Sequence, residues 1–413
     1  MTTDLVIVGA GPAGIAAAIE ALSLGLSVTV LDENTSAGGR IWQGDDTVDQ
    51  VRAFLRCGAD TRYRAAVWAI EADGTVFYSQ NGTAHRIQGR TILLATGTTE
   101  RPVPIPGWTL PGVMTVGGAQ IALKTAGLVP DKRTWIAGQG PLLLLYTVQA
   151  LRAGGRPAGV LDMSDPAQRW PALPKIAGLT DIAKGLLWRW EIARAGIPWI
   201  RTRDLRAEGD GKLERIVFGG RTEPADTLLL HDGVIPSVQL TRALGCAHRW
   251  NDVQQCWEPE TDAWGRTSLP HIYVAGDGAG IAGAEAATEA GRTAARAIAG
   301  KPGTPPRKPA IRPFLDTLYR HRPLAVSDET IVCRCEDVSA GAIRDAATMG
   351  CLGLNQLKAY TRCGMGPCQG RMCAPTAAEV LAAARDVPVQ DIEPLRTRFP
   401  TKPLTVGELA TLD

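Results

Sequence analysis

At 413 residues the chain is longer than one hydrophobic core ordinarily serves, so its length predicts two or three domains. Lysine plus arginine, 44, nearly cancels aspartate plus glutamate, 42, and a net charge of +2 gives no electrostatic case for nucleic acid. With 45% hydrophobic residues, no apolar run of membrane-spanning length and no signal-peptide pattern after Met1, the composition predicts a globular cytoplasmic protein without a transmembrane segment.

The first residues read as a βαβ unit: a strand at Leu5 to Val8, a helix of small residues from Pro12 to Ser23, and a second strand at Val28 to Leu31. Gly9-Ala10-Gly11-Pro12-Ala13-Gly14 joins the first two in the strand-turn-helix context that a G-x-G-x-x-G motif requires. Gly9 permits the tight turn, Gly11 lets backbone approach a pyrophosphate, and Gly14 lets helix lie against strand, while the helix N-terminus offers N–H donors. Asp32 closes the second strand where an acid meets a ribose hydroxyl, and Glu33 is the neighbour that can replace it. Gly39 and Arg40, in the loop beyond, count as further contacts of this site. A ligand-free glycine turn is the rival reading, and it leaves the coincidence of strand, helix and acid unexplained.

Strand-like runs at Thr91 to Ala95, Trp135 to Ala137, Gly159 to Leu161, Thr227 to Leu230 and Ile272 to Ala275 continue the alternation and predict an α/β fold with parallel sheets. Ala95-Thr96-Gly97 and Gly276-Asp277-Gly278 resemble the second and third fingerprints of FAD-dependent proteins like the pyridine-nucleotide-disulfide reductases. That resemblance implies two Rossmann-like dinucleotide-binding domains, FAD in the first, and Asp277 against the ribityl chain. Disulfide reductases of that kind carry a redox cysteine pair, but Gly38 to Gly44 contains no cysteine and none occurs between Cys57 and Cys246, so thiol chemistry at the flavin is not expected. The second unit, Gly138-Gln139-Gly140-Pro141-Leu142-Leu143, has Leu143 in the third glycine's place, with Asp162 ending its next strand. A nucleotide of structural role (NAD, ATP or FMN), a working NAD(P)H site and an empty relic all stay open there.

Proline, lysine and arginine dominate Lys301 to Pro313 and predict an extended linker, followed by a short helical stretch near Phe314 to Tyr319. Beyond it six of the nine cysteines crowd together. Cys333-Arg334-Cys335 and Cys368-Gln369-Gly370-Arg371-Met372-Cys373 form C-x-C and C-x4-C pairs around a helix-like stretch, which gives the four thiolates that a 2Fe-2S cluster takes. Four-thiolate zinc uses the same ligands, and Cys363 makes a rival C-x4-C pair with Cys368. Gly364, Gly366 and Gly370 suit a tight loop, and Arg334, Arg362 and Arg371 can offset cluster charge. The module resembles the small helical 2Fe-2S domain of bacterioferritin-associated ferredoxins. This resemblance implies Cys333, Cys335, Cys368 and Cys373 as ligands and leaves Cys351 and Cys363 as small buried residues.

The expected organisation is a discontinuous FAD domain at 1–117 and 236–300, a second nucleotide-binding-like domain at 118–235, a linker at 301–330, the cluster domain at 331–390 and a tail at 391–413. Over nearly its whole length, including Val234-Ile235-Pro236-Ser237, Thr361 to Cys373 and Lys402 to Leu409, the chain resembles the FAD and iron-sulfur subunits of heteromeric amino-acid or opine dehydrogenases. That group includes octopine and nopaline oxidases, dye-linked proline and D-hydroxyproline dehydrogenases, and the glycine-oxidising hydrogen cyanide synthase. The resemblance implies an electron relay in a complex that is either soluble or peripheral to the inner face of the membrane: substrate is oxidised on a partner flavoprotein like the D-amino-acid oxidases, a small third subunit can join, and a quinone or other acceptor takes the electrons. Within the chain no residue is assigned a catalytic role. His85, His231, His248, His271 and His321 are dispersed and read as structural or exposed, and Trp188 to Arg194 as a solvated amphipathic helix. A self-contained NAD(P)H-dependent ferredoxin-type reductase and a non-enzymatic scaffold with structural FAD and metal are the competing functions.

Overall fold

The structure, a computed structural model, describes residues 2–131, 133–323 and 325–412. Strand β1 (Thr2–Val8) fully buries Leu5, Val6 and Ile7, because a parallel strand is covered on both faces. Helix α1 (Pro12–Ser23) starts on proline, whose missing N–H costs nothing in a first turn. Strands β2 (Val28–Leu31), β3 (Asp60–Arg62), β4 (Ala66–Ile70), β5 (Thr75–Gln80) and β6 (Thr83–Leu94) complete a sheet of order β3-β2-β1-β6-β5-β4. The pairs β3-β2, β2-β1 and β1-β6 are parallel, and the β4-β5-β6 meander is antiparallel.

A second sheet follows, from β7 (Val113–Thr115), helix α2 (Val116–Ala126), β8 (Thr134–Gln139), α3 (Pro141–Arg152), β9 (Gly159–Asp162), α4 (Leu179–Arg194), β10 (Trp199–Arg201) and β11 (Thr227–Asp232). Its order is β10-β9-β8-β11-β7, parallel throughout. Helix α4 turns Ile192 inward and is tied to α3 by a Glu191–Arg152 ion pair at 2.9 Å. Leu179, Leu186, Leu187 and Trp190 are exposed along its outer face, on the i, i+7, i+8, i+11 spacing of a single stripe.

The chain then returns to the first sheet. Strand β12 (Ile272–Val274) pairs with β6, and helix α5 (Ala284–Ile298) lies on α1. Small residues make that contact possible, since a Cβ on Gly291 would stand 2.0 Å from the Ala13 carbonyl oxygen. The short helical stretch expected near Phe314 to Tyr319 is helix α6 (Arg312–Leu318). The last module consists of β13 (Ile331–Cys333), β14 (Val338–Ser339), α7 (Ala340–Thr348), α8 (Leu354–Thr361) and α9 (Ala374–Arg385), with its own core of Val332, Ile343, Leu354, Leu357 and Leu381 among others. The tail runs back to the first sheet, where the Thr401 N–H donates to Trp68 O at 2.8 Å and the Ala84 N–H to Thr411 Oγ1 at 2.8 Å.

Overpacking a close contact of this kind costs about 1–3 kcal/mol. Gly291→Ala is therefore expected to lower the thermal unfolding midpoint by several degrees, measured by differential scanning calorimetry. An unchanged midpoint would contradict the α1–α5 contact.

Candidate functional site

The glycine turns of the first unit converge on a cavity of about 540 Å3. Gly9, Gly11, Pro12 and Ala13 form one wall, Ala95, Thr96 and Gly97 another, and Asp32, Glu33, Gly39, Arg40, Gly276 and Asp277 line the rest. Gly14 lies behind the wall, where a Cβ would stand 1.8 Å from Gly9 O. Gly39 faces Gly11 so closely that its Cβ would reach 2.8 Å from the Gly11 Cα. The cradle is thus kept free of side chains just where α1 presents its first amides, which fits a dinucleotide pyrophosphate. One Asp32 oxygen accepts from the Ala10 N–H, and the other from the Asn34 backbone and side-chain N–H groups at 2.7 Å. Its carboxylate is spent on shaping the turn, which leaves Glu33 as the more accessible acid, paired with Lys402. Burial pushes the Glu33 carboxyl up, but Lys402, Arg40 and Arg371 outweigh it and hold it below the usual carboxylate range. Asp277 Oδ1 accepts from the Ala282 and Gly283 amides at 2.8 and 2.9 Å, and its other oxygen has no protein partner among the described residues.

A second cavity, of about 430 Å3, lies between the two nucleotide units. Gly140 and Pro141 line it from one side, Arg40 and Asp277 from the other, and Leu315 and Tyr319 close it near α6. Gly138 does not reach it; a Cβ there would stand 1.7 Å from His231 O, so this glycine serves strand packing. Leu143 is 1% exposed and packs with Val116 and Ile136, so the third-glycine position belongs to the core. Asp162 is engaged by the Ser164 N–H at 3.0 Å and Trp199 Nε1 at 3.2 Å.

Arg101, Asp232 and His321, which also line this cavity, belong to a buried ionic network that residue spacing gave no hint of. His321 Nδ1 meets Asp232 at 2.5 Å and its Nε2 meets Glu379 at 2.6 Å. Arg101, 4% exposed, lies 3.7 Å from Glu379 and donates to the Gln254 and Gln255 carbonyls at 3.1 and 3.0 Å. Burial and Arg101 both push His321 down, but Glu379 and Asp232 prevail and its pKa is raised. Against burial, His321 and then Arg101 hold Asp232 below the usual carboxylate range. The group is an imidazolium between two carboxylates. His231 makes a similar bond, 2.6 Å from Glu100.

Five cysteines meet in the last module. The sulfurs of Cys333, Cys363 and Cys373, all buried, lie within 4.8 Å of one another. Exposed Cys335 is hydrogen-bonded to half-buried Cys368, and Cys368 in turn to Cys373. The structure therefore brings together the four residues expected as ligands and adds Cys363, expected only as a small buried residue. Cys351 stands apart with its thiol on Gly353 O at 3.4 Å. A bond from Cys373 leads the effects that hold Cys368 down to about 5, with Met372 and Gly370 amides adding to it against burial; Cys373 is pushed up. Gly366 closes on Cys335, where a Cβ would stand 3.1 Å from its sulfur. Such a thiol set fits an iron-sulfur cluster or zinc. Of the three arginines expected to balance cluster charge, Arg362 is bound to Glu336 at 2.7 Å and Arg334 lies over the Trp108 ring, 5.2 Å from its centre. Arg371 donates to Thr401 O at 2.9 Å and lines the first cavity.

Two Rossmann-type sheets with a glycine cradle define a nucleotide-binding flavoprotein oxidoreductase. Residues 3–298 match the family model described as pyridine nucleotide-disulphide oxidoreductase, and residues 327–412 match the sarcosine oxidase A3 domain. The chain belongs to the pyridine nucleotide-disulphide oxidoreductase family. It is similar to the opine oxidase A-subunit of Rhizobium meliloti, 40% identical over 99% of this chain and 87% of that one. The HcnB subunit of hydrogen cyanide synthase from Pseudomonas aeruginosa is 34% identical over 98% of each chain. Among solved structures, L-proline dehydrogenase from P. horikoshii covers 99% of this chain and 79% of its own, with a TM-score of 0.73 at 20% identity, a likeness of fold. The expected membership of the opine-oxidase-like oxidoreductase subunits holds.

The network also sets a pH window. A raised His321 pKa contributes stability that is complete below the unfolded value and lost as pH rises through the folded one; the lowered Asp232 pKa contributes stability lost as pH falls through its folded value. Breaking a buried pair costs about 3–5 kcal/mol. His321→Gln is expected to lower the urea midpoint most strongly near neutral pH and to flatten its alkaline decline; a parallel pH profile would show that the histidine is uncharged.

Proposed function

We propose that the chain is the electron-carrying subunit of a heteromeric dehydrogenase that oxidises an amino-acid-derived amine or imino acid of the opine, D-hydroxyproline or proline class. FAD occupies the first cavity, held by Gly9, Gly11, Pro12, Ala13, Glu33, Gly39, Arg40, Ala95, Thr96, Gly97, Gly276 and Asp277. A 2Fe-2S cluster occupies the thiol group on Cys333, Cys335, Cys368 and Cys373. One observation carries the reading: Arg371, flanked in sequence by Cys368 and Cys373, also lines the flavin cavity, so the two sites share a wall. Flavin takes electrons in pairs and a 2Fe-2S centre passes them singly, so adjoining sites convert one currency into the other.

The chain's own residues bind and orient. The Gly11–Gly39 gap admits the pyrophosphate, the free oxygen of Asp277 accepts from a ribityl hydroxyl, and Arg371, fixed by Thr401, braces the cluster loop against the cavity. No cysteine lines that cavity among the described residues, which supports electron relay over disulfide chemistry. Burial of Leu143 and engagement of Asp162 support a structural nucleotide (NAD, ATP or FMN) in the second cavity over hydride entry there. Substrate oxidation falls to a partner flavoprotein resembling the D-amino-acid oxidases, alongside a small third subunit, and a quinone or other acceptor takes the electrons from a complex that is soluble or peripheral to the inner membrane face. The subunit names of the relatives and the exposed apolar stripe of α4 support a complex, and no helix among the described residues is long and apolar enough to cross a membrane.

The purified chain is expected to be yellow, to contain iron and acid-labile sulfide, and to keep its flavin oxidised when an opine or proline is added anaerobically. Adding the partner subunit should bleach the flavin and raise the electron paramagnetic resonance signal of a reduced 2Fe-2S centre. Bleaching of the lone chain by NADH would favour the ferredoxin-reductase alternative instead, and zinc without sulfide would remove the cluster.

A further inference from the structure

A 2Fe-2S cluster has four terminal positions, two on each iron, whereas this module gathers five thiols. They divide into two layers. Cys335 and Cys368 neighbour each other on the more exposed side and suffice for one iron. Cys333, Cys363 and Cys373 are buried, mutually within 4.8 Å, and offer three sulfurs for the two positions of the other iron. We propose, on the reading that the module holds a 2Fe-2S cluster, that Cys363 is an interchangeable ligand of the inner iron and takes the place of Cys373.

The surroundings of Cys363 set it apart from buried Cys246 and Cys351. Cys246 and Cys351 rest their thiols on oxygens, Thr267 Oγ1 at 3.7 Å and Gly353 O at 3.4 Å. The bonding partners of Cys363 are the sulfurs of Cys373 and Cys333. Its backbone is fixed: Arg362, just before it, takes the left-handed conformation with φ 65° that ends α8, and the Cys363 N–H donates to Thr361 Oγ1 at 3.2 Å. Cys373 stands at the N-terminus of α9, at the other end of the same loop. Exchange therefore asks for side-chain motion only. The iron–sulfur bond to Cys373 breaks as that to Cys363 forms, the Cys363 thiol proton passes to Cys373, and no electron moves. A site built this way keeps its cluster when Cys373 is oxidised or otherwise lost, a protection that the outer iron lacks.

The test uses the full chain purified anaerobically as wild type, Cys373→Ala, Cys335→Ala, Cys363→Ala and the Cys363→Ala/Cys373→Ala double variant. Iron and sulfide content, and the resonance signal after dithionite reduction, are read beside flavin content and circular dichroism as checks on folding. Cys363→Ala and Cys373→Ala should each keep the cluster with altered g-values, whereas Cys335→Ala and the double variant should lose it. Loss of iron in Cys373→Ala as complete as in Cys335→Ala, with flavin retained, overturns the exchange. Should Cys373→Ala fail to fold, Cys363→Ala decides alone: the wild-type signal should resolve into two forms and this variant's into one, and identical signals overturn the proposal. Wild-type protein without iron and sulfide sinks the cluster reading itself, a result distinct from failure of exchange.

Discussion

The arrangement of sites depends on one buried cation. His321, between Asp232 and Glu379, joins the end of β11, the segment after α6, and the middle of α9, and Arg101 adds the region just beyond the first sheet. With His321 charged, two positive and two negative groups balance, so burial is tolerable only when all four are present; any three leave an unpaired charge away from water. Docking of the last module is thus close to all-or-none. Glu379 lies on the same helix whose first turn follows Cys373, so fixing it also fixes the loop from Cys368 to Cys373 and presents Arg371 to the flavin cavity. The tail adds a second hold, with Thr401 bonded both to Trp68 on the first sheet and to Arg371 on the cluster loop.

The two nucleotide units start from nearly the same motif and end differently. In the first, Gly14 brings α1 onto the Gly9 carbonyl, which draws the helix N-terminus over the turn and opens the cradle beside it. In the second, Leu143 moves the corresponding contact into the core, while Gly138 keeps against His231 the tight approach that Gly9 makes against Ala95. Each unit spends the acid at the end of its second strand on internal hydrogen bonds: Asp32 on Ala10 and Asn34, Asp162 on Ser164 and Trp199. The difference lies in the next residue. Glu33 gives the first unit another carboxylate at its cavity, while Met163 is buried and offers none. A single glycine and a single following acid are thus what distinguish the two units of the same topology.

Much of this was legible because it is local. The Gly9 to Gly14 motif, the strand alternation and the paired cysteines each lie within a few residues of chain, where spacing fixes geometry. The ionic network was not, since Arg101, Asp232, His321 and Glu379 come from four segments and no periodicity links them. Helix α4 was half legible: its spacing shows an amphipathic helix, but the same stripe reads identically whether it faces a core or an open surface, and Leu179, Leu186, Leu187 and Trp190 face outward. The role of Cys363 was hidden for a related reason. A C-x4-C spacing says that two sulfurs can meet but not which of several will, and here the fold of the loop after Arg362 decides.

Exposure grades the thiol group from one side to the other, and that gradient bears on the direction of electron flow in the proposed relay. Cys335 is exposed and Cys368 half-buried, whereas Cys333, Cys363 and Cys373 are buried. An added electron brings negative charge, which water stabilises better than apolar packing does, so a two-iron centre held here would favour the reduced state on the iron next to Cys335. The neighbourhood of that edge is firm: Arg334 lies over Trp108, whose Nε1 donates to Ile331 O at 2.5 Å, and Glu336 is held by Arg362. The first cavity adjoins the module through Arg371, at the inner end of the cysteine loop, and solvent meets the module at Cys335. In the proposed relay, electrons entering beside the cavity would therefore be drawn toward Cys335, the most exposed of the five thiols.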